Sequence, residues 1–522
     1  MRDFHLPGRS AVFATNGMCA TSHPLAAGVA VDTLRRGGNA VDAAIAGAVL
    51  LGLCEPQMTG LGGDMFALVA RDGAVRGLNA SGRAPSATDA AALRAEGHEA
   101  VPVHSAHAVT VPGAVDGFCT LSAEMGRLGL ADTLAPLIPY FEAGVPVAPR
   151  VADDWAKARN LTGAGRRHYL VDGRAPVAGT IFRAPGQAEV LRRIVAEGRA
   201  GFYEGEVAED MVASLRALGG VHKAADFAAT ACDWVEPISG TYRGVELLEL
   251  PPNGSGATAI LLLNMLERHD IASMDPLGAE RAHLEAEAAK LAYDARNRFI
   301  ADPAHTRRLD HMLSAETAAA LAALIDMERA MPAPPPLAEQ VHKDTVYITV
   351  VDGDGMAVSL IYSIFHSFGS GLASDRFGIG FQNRGAGFTL AQGHPNEMGP
   401  GKRPMHTIIP AMLRRNGRVE MPFGVMGGAY QPNGHARVLS NMLDFGMDPQ
   451  TALDAPRSFG ALGPMELENG YADTVRDALR AKGHEVRAPE TAIGGAQAIR
   501  IHESGVLEGA SDPRKDGCAL GY

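Results

Sequence analysis

His342-Lys343-Asp344-Thr345-Val346-Tyr347-Ile348-Thr349-Val350-Val351-Asp352 is the stretch on which the reading of this chain turns. From Val346 to Val351 it is a run of β-branched and aromatic residues, the types that suit a pleated, half-buried surface. Asp352-Gly353-Asp354-Gly355 then reads as a turn and Ala357 to Tyr362 as a second strand. Upstream, Met331 to Leu337 (MPAPPPL) reads as a mobile, proline-rich tether. A threonine at the first position of a buried strand, behind such a tether, has the layout a self-cleaving amidase requires. Cutting between Asp344 and Thr345 would free an α-amine beside a hydroxyl. A threonine hydroxyl is a weak nucleophile unless a base lies next to it. A free α-amine, with a reference pKa of roughly 7.7–8.0, is partly neutral at cellular pH and can take the proton. Thr345 is therefore the candidate nucleophile, and its own freed amine the candidate base. Taken alone, an Asp-Thr pair opening a strand is more often structural than catalytic.

Upstream, residues 22–54 read as two helices. Ser22 is placed to cap the first, Pro24 falls in its first turn, and Gly37-Gly38-Asn39 ends it. The second, Ala40 to Leu53, is apolar nearly all round and is expected to be buried. Thr59-Gly60-Leu61-Gly62-Gly63-Asp64 then leads into a hairpin, Phe66–Ala70 and Ala74–Asn79, across an Asp72-Gly73 turn. That glycine-rich loop precedes a strand rather than joining strand to helix, so it is no dinucleotide fingerprint. Residues 115–330 read mostly as helix, interrupted by a strand at Tyr242–Leu250 and the sharp turn Pro251-Pro252-Asn253-Gly254-Ser255-Gly256. Beyond Thr345 the pattern changes to strands at 346–351, 357–362, 376–381, 407–413 and 418–421. Helices follow at Gly434–Leu443 and Asp473–Lys482, and a last hairpin spans Ala496–His502 and Gly505–Leu507. One intertwined α/β layer protein accounts for this better than two independent domains.

With 46% hydrophobic and 20% charged residues, the composition is that of a soluble globular protein. A net charge of −12 with dispersed basic residues argues against a nucleic-acid partner. The longest uncharged apolar run, Ala43 to Cys54, is well short of the ~20 residues that span a bilayer, and Met1 to Asn16 has no signal-peptide core. Five scattered cysteines (Cys19, Cys54, Cys119, Cys232, Cys518) without a CxxC favour reduced thiols. The expectation is a cytoplasmic protein with no membrane partner. Serine-hydrolase elbows, HExxH and P-loops are absent from the sequence. His104 and His107 lie close together but lack a neighbouring cysteine or acidic pair, so no metal and no cofactor is expected.

Several motifs in order carry a family resemblance. They are Gly38-Asn39-Ala40-Val41-Asp42-Ala43-Ala44, Gly60-Leu61-Gly62-Gly63-Asp64, Val111-Pro112-Gly113-Ala114-Val115-Asp116-Gly117, and Glu285 to Pro303. Further along come Ser367-Phe368-Gly369-Ser370-Gly371, Gly399-Pro400-Gly401-Lys402-Arg403-Pro404 and Asp512-Pro513-Arg514. Over nearly its whole length the chain resembles the γ-glutamyltransferase family of N-terminal-nucleophile hydrolases. The resemblance implies a four-layer αββα sandwich forming one intertwined unit. It also implies a precursor that cuts itself between Asp344 and Thr345 into a large subunit, 1–344, and a small subunit, 345–522. The two pieces of one precursor are then each other's partners, and the assembly of processed pairs into higher oligomers stays open. Ser363 falls where the family keeps a second hydroxyl near the nucleophile. Gly427 and Gly428 match the glycine pair whose backbone N–H groups resemble an oxyanion hole.

The sequence departs from the glutathione-cleaving members where those grip the glutamyl group. Phe365 stands at their asparagine position and Gly387 at their acidic one. Their arginine position falls near Ser81, with Arg83 two residues on, and their serine pair becomes His406-Thr407. An ammonium set against phenylalanine and glycine forfeits charged hydrogen bonds worth about 1.5–3 kcal/mol each. The replacements look like the oxamate amidohydrolase-like branch of the family. There Arg83 would clamp a carboxylate while His406 and Thr407 supply donors, and the substrate would be a small amide bearing a carboxylate. The alternatives are a γ-glutamyltransferase or glutathione hydrolase with an altered pocket, and an uncleaved, non-catalytic binding homologue.

Overall fold

The strand Val346–Val351 lies third in a seven-stranded antiparallel sheet. Its neighbours are Met18–Thr21 on one side and Ala357–Ser363 on the other. Cys518–Gly521 closes one edge, while the hairpin Asp64–Arg71/Ala74–Ala80 and then Asp233–Val235 extend the other. A second seven-stranded antiparallel sheet runs Val12–Ala14, Leu507–Ser511, Gly495–Ile501, Arg418–Met426, Ala411–Arg415, Val245–Glu249, Ile238–Tyr242. Both sheets draw strands from either side of Thr345, so the two parts of the chain are interleaved in each sheet. The computed structural model describes His5, residues 8–332 and residues 345–522. The proline-rich stretch from residue 333 on, and Asp344 with it, lies outside the described residues.

Strand alternation builds the four layers. Side chains of a strand point alternately to opposite faces. Val346, Ile348 and Val350 join the core made with helices Pro24–Arg35 and Ala40–Cys54, whereas Tyr347 and Val351 face the second sheet. There they meet Leu248, Met412, Met426 and Ile499. The far side of the second sheet, through Phe423, Val425 and Ala498, packs on helices Gly256–Leu266, Ala279–Phe299 and Gln431–Leu443. The expected αββα sandwich is what forms. One polar pin crosses the middle: Tyr347 Oη lies 2.7 Å from Ser359 Oγ, which donates to Phe423 O (3.2 Å) and accepts from Ala411 N (3.1 Å).

All fifteen residues of helix Ala40–Cys54 are buried, as its composition predicts. Asn39 starts it with a capping box, accepting from Val41 N and Asp42 N while Asp42 accepts from Asn39 N. Ala40 N also donates to Asp352 (2.9 Å), which fixes the helix start to the turn that follows Val351. Ser22 does not cap the preceding helix. His23 does so through Leu25 N, and Ser22 instead bonds the buried carboxyl of Glu55. Residues 376–381 form no strand. Ser374 accepts from Ile379 N, Gly378 turns with φ +66°, and Tyr169 holds Gly378 O and Gly380 N, which leaves no ladder to join. The expected strand at 407–413 starts only at Ala411, because His406 N goes to Asn253 O and Ile409 N to the side chain of Gln431.

The Asp512-Pro513-Arg514 motif is a buried charge centre. Asp512 accepts from Arg457, from Arg514 Nη1 (3.1 Å), and from backbone N–H groups of Ala496 and Arg514. Burial alone would raise its pKa, but Arg457 and Arg514 outweigh burial and hold the carboxyl below the ordinary range. A depressed folded-state pKa gives stability that is present above the unfolded value, about 3.9, and lost as pH falls through the folded value. Removing one partner of a buried pair costs about 3–5 kcal/mol. Asp512→Ala should therefore unfold at clearly lower urea than the native chain at pH 7, and the gap should narrow below about pH 4.

Candidate active site

The sheet register assembles the site. Val346 pairs with Tyr362 and Ser363 pairs with Asp64, so Thr345, Ser363 and Asp64 sit side by side at one end of three neighbouring strands. Thr345 is 1% exposed and its Oγ1 lies 3.4 Å from Ser363 Oγ. Close approach here requires glycine at position 63, where an added Cβ would come within 2.6 Å of Ser363 O. Ser363 Oγ accepts from Phe365 N (2.9 Å) and from Arg384 Nη2 (3.2 Å). Arg384 Nη1 donates to Thr407 Oγ1 at 3.1 Å, and the guanidinium lies 4.1 Å above the Phe365 ring. Arg384 is fully buried, in a one-turn helix that nothing in the local sequence marks as special. Sequence reasoning missed it.

Phe365 has φ +77°, a region that a bulky side chain occupies only at an expense of order 1–3 kcal/mol. The bond to Ser363 and the stack under Arg384 hold it there. Gly387, at the expected acidic position, closes the same one-turn helix and is buried against Met405 O. Asn396 staples the excursion that follows, donating to Gly387 O (2.7 Å) and accepting from Met405 N (2.9 Å).

His406 and Thr407 are both buried but play different parts. His406 Nε2 lies 3.2 Å from Asp64 Oδ2, and its Nδ1 accepts from Ile408 N (3.3 Å), which makes Nε2 the protonated nitrogen. Burial and the nearby Arg384 push its pKa down to about 3, so the ring is neutral at pH 7. Asp64 in turn accepts from Gly82 N (2.8 Å) and Gln382 Nε2 (2.9 Å). The sharp turn at 251–256 props the same segment, with Asn253 bonded to Pro404 O and Ser255 to His406 O. His406 is thus a positioning residue with both ring nitrogens engaged by the chain itself.

Arg83 lies apart from this cluster. Its guanidinium reaches Asp233 (3.3 Å), Asp302 (3.6 Å) and Gly401 O (3.2 Å) and is 43% exposed. It is an ion-paired loop arginine, and the arginine beside Ser363 is Arg384. Gly427 and Gly428 form the turn out of strand Arg418–Met426, with φ +127° and +54°. A Cβ on Gly427 would meet Gly494 Cα at 2.9 Å. Gln431, three residues past Gly428, holds Ile409 N at 2.9 Å and so ties this turn to the segment carrying Thr407.

His104 is exposed and His107 half-buried in a short turn whose Ala108 packs with Phe365 and Ala386 against the one-turn helix carrying Arg384. Three other buried groups, His283, Glu287 and His484, bring donor atoms within 4.8 Å of one another. Both oxygens of Glu287 are already engaged, by Lys290 Nζ (2.7 Å) and by Met331 N (2.8 Å). Lys290 also donates to Met331 O (2.7 Å), so the group anchors the chain next to the last residue described before Thr345.

Two antiparallel sheets packed face to face and covered by helices on both outer sides are the fold of the N-terminal-nucleophile hydrolases. The chain belongs to the gamma-glutamyltranspeptidase family, whose match spans residues 26–522. It is similar to the glutathione hydrolase-like YwrD proenzyme of Bacillus subtilis, with 36% identity over 98% of this chain and 99% of that one. It is similar also to the oxamate amidohydrolase proenzyme of Klebsiella pneumoniae, with 35% identity over 98% and 99%. Among solved structures, cephalosporin acylase from Bacillus halodurans superposes with a TM-score of 0.93 at 38% identity, covering 100% of this chain and 99% of the acylase. The protein is therefore an autoprocessed enzyme of the amidohydrolase and γ-glutamyltransferase class, made as a proenzyme. Among the described residues, no helix is long and apolar enough to cross a membrane.

Proposed function

We propose that Thr345, freed by cleavage after Asp344, hydrolyses the amide of a small carboxylate-bearing substrate of the oxamate type. The observation that carries this reading is Arg384, fully buried and bonded to both Ser363 and Thr407 beside Thr345. A guanidinium has five N–H donors in a planar fork, enough to serve two hydroxyls and a carboxylate together. It takes the role that Arg83, engaged by Asp233 and Asp302, is not placed to fill.

The amine of Thr345 takes the hydroxyl proton as Oγ attacks the amide carbon. Ser363 Oγ accepts from Thr345 Oγ1 (3.4 Å) as well as from Phe365 N and Arg384 Nη2, so it orients the hydroxyl that attacks. The carbonyl oxygen, now an anion, is received by the N–H groups of Gly427 and Gly428, each worth ~3–4 kcal/mol of barrier in sites of this kind. The amide nitrogen leaves with the proton held by the Thr345 amine. A water, deprotonated by the same amine, then releases the acid and restores Thr345. Five free cysteines, two of them fully buried, support a reducing compartment, and we place the enzyme in the cytoplasm.

The test is a panel of amides (oxamate, glutathione, glutaryl and short neutral acyl amides) offered to protein whose cleavage has been verified by intact mass. Turnover of carboxylate-bearing small amides at least tenfold above glutathione is expected. Glutathione turnover equal to theirs would favour a γ-glutamyl enzyme with an altered pocket. An uncut chain that binds without turnover would make it a binding homologue.

A further inference from the structure

A cavity of about 580 Å³ lies between the end of helix Ala279–Phe299 with the loop after it, and the excursion from Gly393 to Lys402. None of its lining residues belongs to the Thr345 cluster. Its wall carries Arg298, Arg307, Arg308 and Lys402, with His305 and His394, against a single carboxylate, Glu397. That carboxylate is already paired with Arg94 at 2.8 Å. Arg298 is matched by Asp294 (2.9 Å), and His305 approaches Asp302 at 3.7 Å. Lys402 donates to the carbonyls of Pro395 (2.9 Å) and Glu397 (2.7 Å), which hold it in place without neutralising it. Arg307 and Arg308 have no carboxylate partner among the described residues, and Arg308 rests over the ring of Phe299.

In a chain of net charge −12, Arg307 and Arg308 left without a carboxylate partner, beside a Lys402 that has only Asp302 and Glu397 near it, are a local reversal of sign. Such a concavity focuses potential and attracts the opposite charge. Paired guanidinium forks match the oxygens of carboxylates and phosphates. Phe299 and Met398 add apolar wall, and the volume is that of an ordinary small-molecule site. We propose that this cavity binds a small organic anion carrying two or more carboxylate or phosphate groups, at a site separate from the reaction centre. The excursion that forms its outer wall is stapled at its base by Asn396, so the site is built into the fold. This inference does not rest on the reading of Thr345.

The test uses the full-length Thr345→Ala protein, titrated calorimetrically in low salt with citrate, with inorganic pyrophosphate, and with acetate as a single-charge control. Citrate and pyrophosphate distinguish carboxylate from phosphate as the preferred group. Saturable binding of at least one, with Kd below about 1 mM, is expected, and acetate should bind at least tenfold more weakly. The Arg307→Glu/Arg308→Glu double variant should lose at least tenfold in affinity, while Arg166→Glu/Arg174→Glu, the same charge change outside the cavity, should lose less than twofold. If the double variant proves unstable, Arg307→Ala with an unchanged melting temperature gives the same reading at a threefold loss or more. Absence of saturable binding by either anion overturns the proposal, as does equal loss in the two double variants.

Discussion

Thr345→Ala should remain a single 54.6 kDa chain through long incubation and show no amide turnover, while the native protein separates into residues 1–344 and 345–522. Both effects share one cause. In the proposed mechanism the hydroxyl that opens the bond after Asp344 is the one that later attacks the substrate. Loss of a nucleophile that works as a unit with its base lowers rates by on the order of 10⁵–10⁶. Thr345→Ser keeps the hydroxyl and the amine and should still process and turn over, though more slowly. Intact mass read over hours, with amide release measured on the same samples, checks both. Processing and turnover in Thr345→Ala at native rates would remove Thr345 from the mechanism.

Arg384→Met should lower kcat/KM for oxamate by about 10²-fold or more, since charged hydrogen bonds are worth about 1.5–3 kcal/mol each. For a neutral short acyl amide the loss should be several times smaller. The comparison separates two roles. An arginine that only supports Ser363 and Thr407, 3.2 and 3.1 Å away, would depress both substrates equally, and that result would count against the carboxylate clamp. Arg384→Lys keeps the charge but not the planar fork. It should fall between the two, with its defect mainly in KM. Melting temperatures of both variants have to accompany the kinetics, because truncating a buried guanidinium leaves two buried hydroxyls short of a donor.

Much of the architecture was legible along the chain because it is written in local chemistry. The β-branched run from Val346 predicts its strand, Asp72-Gly73 its hairpin, and the apolar helix Ala40–Cys54 its burial. The strand Met18–Thr21 and the edge strand Cys518–Gly521 beside it were not legible. Each is four residues long, and each is stabilised by its neighbours rather than by its own pattern. The stretch 376–381 misled in the opposite way, its apolar residues packing around a turn that Ser374 and Tyr169 hold.

By itself, then, the sequence determined the family resemblance, with the layered sandwich that the resemblance implies, and Thr345 as the residue around which the chemistry is read, since the motifs and the strand pattern depend on residue order and short-range spacing. Only the tertiary structure decided which arginine stands beside it. The linear reading chose Arg83, two residues past the family's arginine position, and did not single out Arg384. Their fates diverge because Arg83 meets Asp233 and Asp302 at a half-open loop, whereas Arg384 is enclosed by Phe365, Ser363 and Thr407, residues 19 to 23 positions away that fold back over it. Whether a charge is solvated or buried depends on what long-range packing places around it, and no local pattern encodes that.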